Sequence, residues 1–234
     1  AIAVGGSLIG AFIGAWIAFG TQKRALKAQS DEAERKGKLE IANLNAEWQL
    51  KQLSELYGPL HALLRQSNAL YLHMNHALVA KSPDRFKFEA QESAEGFQPD
   101  VLKIKVGENW EVFRTVQHLG EVYGKNLGVD QYFDGLVAIG KRIVDVIEQK
   151  AGFVRDNSSE LLKTFGQYLA HYSVLEQIHK AALPKAPDAA SGRQDSTSPP
   201  IQVDSSAAFP LKIQGLVSGD YEALVDDLAK WRRK

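Results

Sequence analysis

The chain opens with an uncharged apolar run that basic residues follow at once. Residues 1–20 contain no Asp, Glu, Lys or Arg, and Lys23, Arg24 and Lys27 come directly after them. A bilayer core about 30 Å thick is crossed by roughly 20 helical residues. The run therefore predicts a single transmembrane helix over residues 1–20. A cleaved signal peptide is the alternative, but its basic residues would precede the apolar core and a cleavage site would follow it.

The basic residues also predict the orientation of this span. Lys and Arg beside a span stay on the cytoplasmic side, so the N-terminus is expected outside and the C-terminal domain in the cytoplasm. Trp16 lies near the cytoplasmic end of the run, where aromatic side chains anchor a helix at the membrane interface. We expect Trp16, Lys23, Arg24 and Lys27 to form the membrane-interface residues.

Small residues recur every four positions within the same run. Gly6, Gly10, Gly14 and Ala18 share one face of a helix. A ridge of small residues lets a second helix approach closely, and close packing is a main source of helix association in lipid. These four residues are the predicted helix-packing surface in the membrane. The simpler interpretation is that glycine is common in membrane helices.

Residues 21–45 are polar nearly all round and predict a solvated helical stalk. Such a helix needs side-chain pairs for support, and an acid precedes a base by four positions three times. These pairs are Asp31–Arg35, Glu32–Lys36 and Glu34–Lys38.

A seam with alternating steps of four and three residues begins at Leu39. It is typical of a coiled coil or a long bundle helix. Leu56 and Leu63 widen the apolar stripe, which favours packing inside a globular bundle. The seam positions are Leu39, Asn43, Ala46, Leu50, Leu53, Tyr57, Leu60, Leu64, Ser67, Tyr71, Met74 and Leu78.

Gly58 and Pro59 interrupt this seam without shifting its phase. Proline inside a helix removes one backbone hydrogen bond and clashes with the preceding turn. We therefore predict a kink rather than a loop. Its functional interpretation is a hinge at Gly58 and Pro59, and its structural one is a static bend that wraps the helix around the core.

The fold class predicted from these patterns is all-α: a transmembrane helix, a stalk, an antiparallel helix bundle and a tethered C-terminal amphipathic helix. The bundle occupies residues 46–183, and its later helices are expected over residues 109–125, 129–150 and 158–183, the last capped by Asn157 or Ser158. Residues 84–107 show a period of two in places, so they predict either short strands or an irregular excursion.

The end of the chain predicts a tethered helix. Residues 184–208 are rich in Pro, Ser, Ala and Asp, which is typical of a flexible linker. In residues 209–234 an amphipathic helix capped by Ser218 or Asp220 follows. It either folds back on the bundle, binds a partner groove or lies on the membrane. The predicted partner-binding face comprises Tyr221, Leu224, Val225, Leu228 and Trp231.

Composition and motifs exclude several classes of function. The 234 residues carry 28 basic and 28 acidic side chains, so no nucleic acid is expected as a partner. Phosphate-binding glycine loops and nucleophile motifs do not occur, and the chain has no Cys. We expect no enzyme activity and no cofactor.

One pair of histidines has metal-ligand spacing. His73 and His76 lie three apart on one helix face, and either His61 or the pair His171 and His179 would complete a metal site. The seam places Met74 inward and the two histidines on its flanks, which favours ordinary surface histidines.

Two short stretches carry a resemblance to a known group of proteins. Leu56-Tyr57-Gly58-Pro59-Leu60 and Leu169-Ala170-His171-Tyr172 are similar to stretches of uncharacterised bacterial membrane proteins with one N-terminal span and a cytoplasmic helical domain. The resemblance implies a bacterial inner-membrane location and brings no catalytic residues.

The function expected from the sequence is a non-enzymatic scaffold or accessory subunit, with other membrane subunits or a second copy as its partner. An oligomerising, pore-forming effector is the first alternative, because the same glycine ridge would cluster spans. A metal-dependent activity at His73 and His76 is the second.

Overall fold

A computed structural model of the protein describes residues 5–90, 101–155, 158–183 and 208–232, with side chains from residue 22 onward. The chain divides into two compact units, residues 1–50 and 51–234. The described part of the first unit is one long helix, α1 (Gly5–Lys51), which runs one residue past the boundary. Its exposed pairs Glu32–Lys36 and Glu34–Lys38 lie at 2.9 and 2.6 Å. Each such pair stabilises a helix by a few tenths of a kcal/mol, about 0.3–0.5.

Among the residues that the structure describes, no helix combines the length and the apolar character needed to cross a membrane. The transmembrane helix predicted over residues 1–20 is therefore without support from the structure. Residues 1–4 lie outside the described part, as do the side chains through residue 21. The predicted packing surface Gly6, Gly10, Gly14 and Ala18, together with Trp16, falls in this stretch.

The helical backbone continues through Gly58 and Pro59. A π-helical segment (Gln52–Tyr57) precedes α2 (Gly58–Lys81), which has Pro59 in its first turn. The N–H of Gly58 donates to the carbonyl oxygen of Leu53, five residues back. A widened turn of this kind accommodates the proline ring and its missing N–H within a helix. A Cβ on Gly58 would lie 2.8 Å from the Leu53 oxygen, so this turn requires glycine.

The prediction of an all-α chain is wrong in one region, because a three-stranded antiparallel sheet follows α2. The strands are β1 (Phe86–Glu89), β2 (Val101–Val106) and β3 (Asn109–Val112), in the order β1-β2-β3. For residues 84–107 two alternatives were open, short strands or an irregular excursion, and the structure has two short strands, β1 and β2. The helix predicted over residues 109–125 is wrong at its start, since Gly107 with φ 62° closes a tight hairpin onto β3.

In the described residues, four more helices follow the sheet. They are α3 (Thr115–Val122), α4 (Asp130–Lys150), α5 (Ser159–Ala182) and α6 (Lys212–Trp231), and a 3₁₀ turn (Ala151–Phe153) follows α4. Of the predicted caps of α5, Asn157 lies outside the described residues. Ser158 precedes α5, but its side chain makes no capping hydrogen bond. α6 begins at Lys212, which places Ser218 and Asp220 inside the helix.

Two clusters of buried side chains form the core of the second unit. One cluster joins the first half of α2 to α4, α5 and α6, and it includes Leu60, Ile143 and Phe165. The other joins the second half of α2 to the sheet, α3, α4 and α5 through Met74 and Phe133. The mostly helical fold is consistent with a helix bundle whose α2, α4 and α5 span both clusters.

Candidate functional site

The C-terminal helix α6 packs against the core of its own chain. Its buried side chains are Ile213, Val217, Leu224 and Leu228. Leu224 and Leu228 belong to the face that the amphipathic pattern predicts, whereas Ile213 and Val217 precede the predicted helix. Among the described residues, this inner face of α6 is therefore occupied by the chain's own core.

The predicted partner-binding face is thus divided between core and solvent. Leu224 and Leu228 are buried, whereas Val225 and Trp231 are 40% and 43% exposed. Tyr221 is half-buried and stacks on His61, with ring centroids 4.7 Å apart and planes at 8°. Val225 and Trp231 are the two members of the face that remain accessible to a partner.

A partly buried polar cluster lies where α6 meets the π-helical segment. The hydroxyl of Tyr57 donates to Oδ2 of Asp220 at 3.0 Å, and the Ser158 hydroxyl donates to the same oxygen at 2.7 Å. The backbone N–H of Arg155 donates to the Tyr57 oxygen at 3.1 Å. This cluster joins three stretches that are far apart in the sequence.

Burial is the main cause of a high pKa at this tyrosine. It raises the pKa of Tyr57 from 10.0 to about 12, and the negative charge of Asp220 acts in the same direction. The phenol therefore stays protonated as a hydrogen-bond donor over the physiological pH range. Its arrangement suits a structural connection rather than proton transfer.

Further polar contacts hold the turn between α4 and α5 to its neighbours. Gln52 Nε2 donates to the carbonyl oxygen of Phe153 at 3.0 Å, and Lys150 Nζ lies 2.6 Å from Glu55 Oε2. Arg155 reaches Asp227 on α6 at 3.6 Å. The π-helical segment and α6 are therefore both bonded to residues 150–155.

Sequence reasoning missed this cluster for identifiable reasons. The seam pattern indicates only an apolar position at Tyr57, and the helix pattern indicates only a cap at Asp220. The available signal was the tyrosine itself, because a phenol at a buried seam position needs a hydrogen-bond partner. The pattern along the chain contains nothing that pairs it with a residue 163 positions later.

The stalk helix α1 presents large apolar side chains to solvent. Leu39, Ile41 and Leu44 are 63%, 61% and 59% exposed, and Leu50 is also exposed. Leu39 and Leu50 belong to the predicted seam, whereas Ile41 and Leu44 lie on the opposite side of the helix. Residues 39–50 of α1 therefore carry two apolar stripes, and the seam analysis found one of them.

The remaining predicted residues in the first part of the chain are placed as follows. Lys23, Arg24 and Lys27 are exposed on α1. Gly58 and Pro59 form the helical turn described above, and their role as a hinge remains a prediction.

The structure does not assemble the histidines into a metal site. His73 and His76 are exposed on α2, Met74 between them is buried, and the His76 ring lies 4.9 Å from that of Phe88. His61 stacks on Tyr221, as noted above. Within the described residues, no group of three His, Cys, Asp or Glu side chains is arranged to hold a metal ion.

A second polar cluster lies between α4, α5 and the turn after α3. Asp134 Oδ1 accepts a hydrogen bond from the Tyr123 hydroxyl at 2.9 Å and lies 2.8 Å from His179 Nε2. Burial is the main reason that the pKa of Tyr123 is raised to about 12, and the contact with Asp134 raises it further. The contacts tie the turn to both helices.

An open groove of about 370 Å³ runs between α2 and α4. It is lined mainly by Pro59, Ala62, Leu63 and Val146, with Arg142 and Asp145 as its charged residues. The Tyr57 and Tyr123 hydroxyls do not line it. Gln66 is a third polar residue of its lining.

No protein-family model matches the chain, and neither a curated protein nor a solved structure matches it. The candidate sites therefore stand on their geometry alone.

Proposed function

We propose that this protein is a non-enzymatic scaffold or accessory subunit that acts through helix–helix assembly in and next to a membrane. In this proposal residues 1–20 cross a bacterial inner membrane once, and the helical domain lies in the cytoplasm. The uncharged run and the basic residues behind it support the span and its orientation. Partners are other membrane subunits or further copies of the chain.

The observation that carries the proposal is the exposure of apolar side chains on α1. Leu39, Ile41 and Leu44 each leave more than half of their surface in water. Leu39 lies on one side of the helix, and Ile41 and Leu44 lie on the other. Large exposed apolar side chains on both sides of a helix favour association, because burying them against partners removes that surface from water. Packing of α1 against a partner helix next to the membrane would bury these side chains.

The assembly part of the proposal is tested on the full chain in mild detergent by light scattering. A combined Leu39→Gln, Ile41→Gln and Leu44→Gln variant should reduce the assembled species. Leu26→Gln, at another exposed leucine on α1, is the matched control and should leave the mass unchanged. An assembly that survives the triple substitution would remove α1 as the assembly element.

The span is tested separately at Gly10. Gly10→Leu should weaken assembly if the glycine ridge packs against another helix, whereas Gly5→Leu, on the opposite face of the helix, should not. Equal masses for both variants would count against the ridge as a contact surface.

The orientation is tested by labelling. The chain contains no Cys, so a single exposed cysteine introduced as Glu222→Cys reports its side of the membrane. A membrane-impermeant maleimide should label it after lysis and not in intact spheroplasts. Labelling in intact spheroplasts would contradict a cytoplasmic domain.

A further inference from the structure

The two faces of the small sheet differ sharply in character. Strand residues that pair directly across the sheet share a face. Phe86 pairs with Ile104 and Phe88 with Leu102, and this inner face is largely buried. The opposite face, called the lysine face below, carries Lys87, Lys103, Lys105, Trp110 and Val112.

The lysine face keeps a positive charge after its internal pairs are counted. Glu89 lies 2.6 Å from Lys103 and 3.1 Å from Lys87, and hydrogen bonds from Lys103 and then Lys87 hold its pKa below the usual value. Lys105 is exposed and pairs with no acid among the described residues. Three lysines therefore face one glutamate.

β3 also offers unpaired backbone groups on the side away from β2. Directly after β3, the N–H of Phe113 donates to the carbonyl oxygen of Leu102 on β2. Hydrogen-bonded pairs alternate along an antiparallel ladder, so Asn109 and Glu111 also face β2. The N–H and C=O groups of Trp110 and Val112 point outward, and in the described part of the chain β3 pairs with β2 alone.

Two features favour a peptide over a nucleic acid as the occupant. The outward N–H and C=O groups of β3 match the backbone of another extended chain. Proteins that bind single-stranded nucleic acid stack bases on open aromatic rings. Trp110 is half-buried, and the Lys87 ammonium lies 4.5 Å from its ring centroid, so that ring is covered.

We propose that β3 is a docking edge for an extended acidic peptide segment of a partner protein. The segment adds as a fourth strand beside Trp110 and Val112, and its alternate side chains point to the lysine face. Acidic side chains at those positions approach Lys103 and Lys105. The intervening side chains lie beside Glu111 on the other face and are neutral. This inference does not depend on the span or on α1.

The test measures fluorescence anisotropy with the full chain in nonionic detergent and a labelled peptide, Glu-Thr-Glu-Val-Glu-Thr-Glu. We expect saturable binding that weakens with added salt, because exposed charges are screened. A peptide of the same composition with its four Glu residues in one block should bind more weakly. Equal binding of the two peptides, or none, would overturn the proposal.

Substitutions then separate the charge contribution from the edge contribution. Lys103→Glu with Lys105→Glu should weaken binding about tenfold. Lys141→Glu with Lys163→Glu, at exposed lysines on α4 and α5, carries the same change of charge and should have no effect. Similar losses with both variants would show nonspecific attraction and reject the site.

The edge is tested first by altering the probe and then by altering β3. N-methylation of alternate peptide bonds in the probe removes the donors that face β3, and it should weaken binding about fivefold or more. Val112→Pro, which removes an outward N–H, should act in the same direction, and Val112→Thr should not. Unchanged affinity for the methylated probe, or tighter binding of a single-stranded oligonucleotide than of the peptide, would overturn the proposal.

Discussion

The hydroxyl of Tyr57 donates a hydrogen bond to Asp220 at 3.0 Å and so joins the π-helical segment to α6. Tyr57 is completely buried, and Asp220 also accepts from Ser158 at 2.7 Å. A carboxylate on the inner side of an amphipathic helix would be costly without such donors. The pair therefore makes the docking of α6 specific, whereas the surrounding apolar side chains supply most of its stability.

Removal of the phenol oxygen tests this connection. Tyr57→Phe leaves the Arg155 N–H without its acceptor and Asp220 without one donor, so we expect a loss of about 1–3 kcal/mol in the free energy of unfolding. Urea denaturation measures it. Tyr132→Phe, a half-buried tyrosine on α4 for which no side-chain hydrogen bond is found among the described residues, is the control and should change stability little. Equal effects at the two tyrosines would show that the Asp220 contact is unimportant.

The raised pKa of Tyr57 predicts a loss of stability in alkali. The phenol has a pKa of about 12 in the folded chain and 10.0 in the reference state. Below pH 10 the phenol is protonated in both the folded and the unfolded chain, so its full contribution to the free energy of unfolding is present. As pH rises from 10 towards 12, the unfolded chain loses this proton first, so the free energy of unfolding falls.

Tyr57→Phe isolates this contribution from that of the other tyrosines. Tyr123 has a raised pKa as well, so the wild-type curve contains more than one titration. The difference between wild type and variant in urea unfolding should shrink as pH rises above 10. A difference that stays constant over this range would contradict a raised pKa at Tyr57.

Gly58 is predicted to be intolerant of any side chain. In an ordinary helix Gly→Ala stabilises by about 1 kcal/mol. A Cβ at Gly58 would lie 2.8 Å from the backbone oxygen of Leu53, and backbone cannot move aside as a side chain can. Gly58→Ala should therefore lower the melting temperature. Gly120→Ala in α3, where the added Cβ meets nothing within 4 Å, should raise it. A higher melting temperature for both variants would show that the π-helical turn relaxes freely.

Much of the helical fold follows from periodicity. Leu60, Leu64, Met74 and Leu78 are seam positions, and all four are buried. α4 begins one residue after the predicted start and ends at the predicted residue. Long helices repeat the same spacing over many turns, so their pattern is distinct from that of other elements.

The errors arise where an element is too short for a pattern or where partners are remote. β3 has only four residues, Asn-Trp-Glu-Val. Their pattern predicts a first helical turn, because Val112 and Phe113 continue into the apolar face of α3. Ser158 looked like a cap because it precedes a helix, but its hydroxyl bonds to Asp220 on α6 instead. The residues around Ser158 do not indicate its remote partner. The tertiary contact with Asp220 therefore overrides the local preference of serine for helix capping.

Docking of α6 on the bundle predicts opposite outcomes at two adjacent residues. Leu224 is 1% exposed and Val225 is 40% exposed. Leu224→Ala should leave a cavity and cost about 2–5 kcal/mol. Val225→Ala, on the solvent side, should stay within about 0.5 kcal/mol of wild type.

Hydrogen exchange distinguishes local release of α6 from general destabilisation. If α6 packs as the structure has it, Leu224→Ala should accelerate exchange of the α6 amides more than that of the α4 amides, because the helix that lost its contact opens first. The Val225→Ala variant should exchange like wild type throughout. Uniform acceleration in α4 and α6 would instead mean that α6 opens only with the whole bundle. Equal effects of the two substitutions would contradict the docked position of α6.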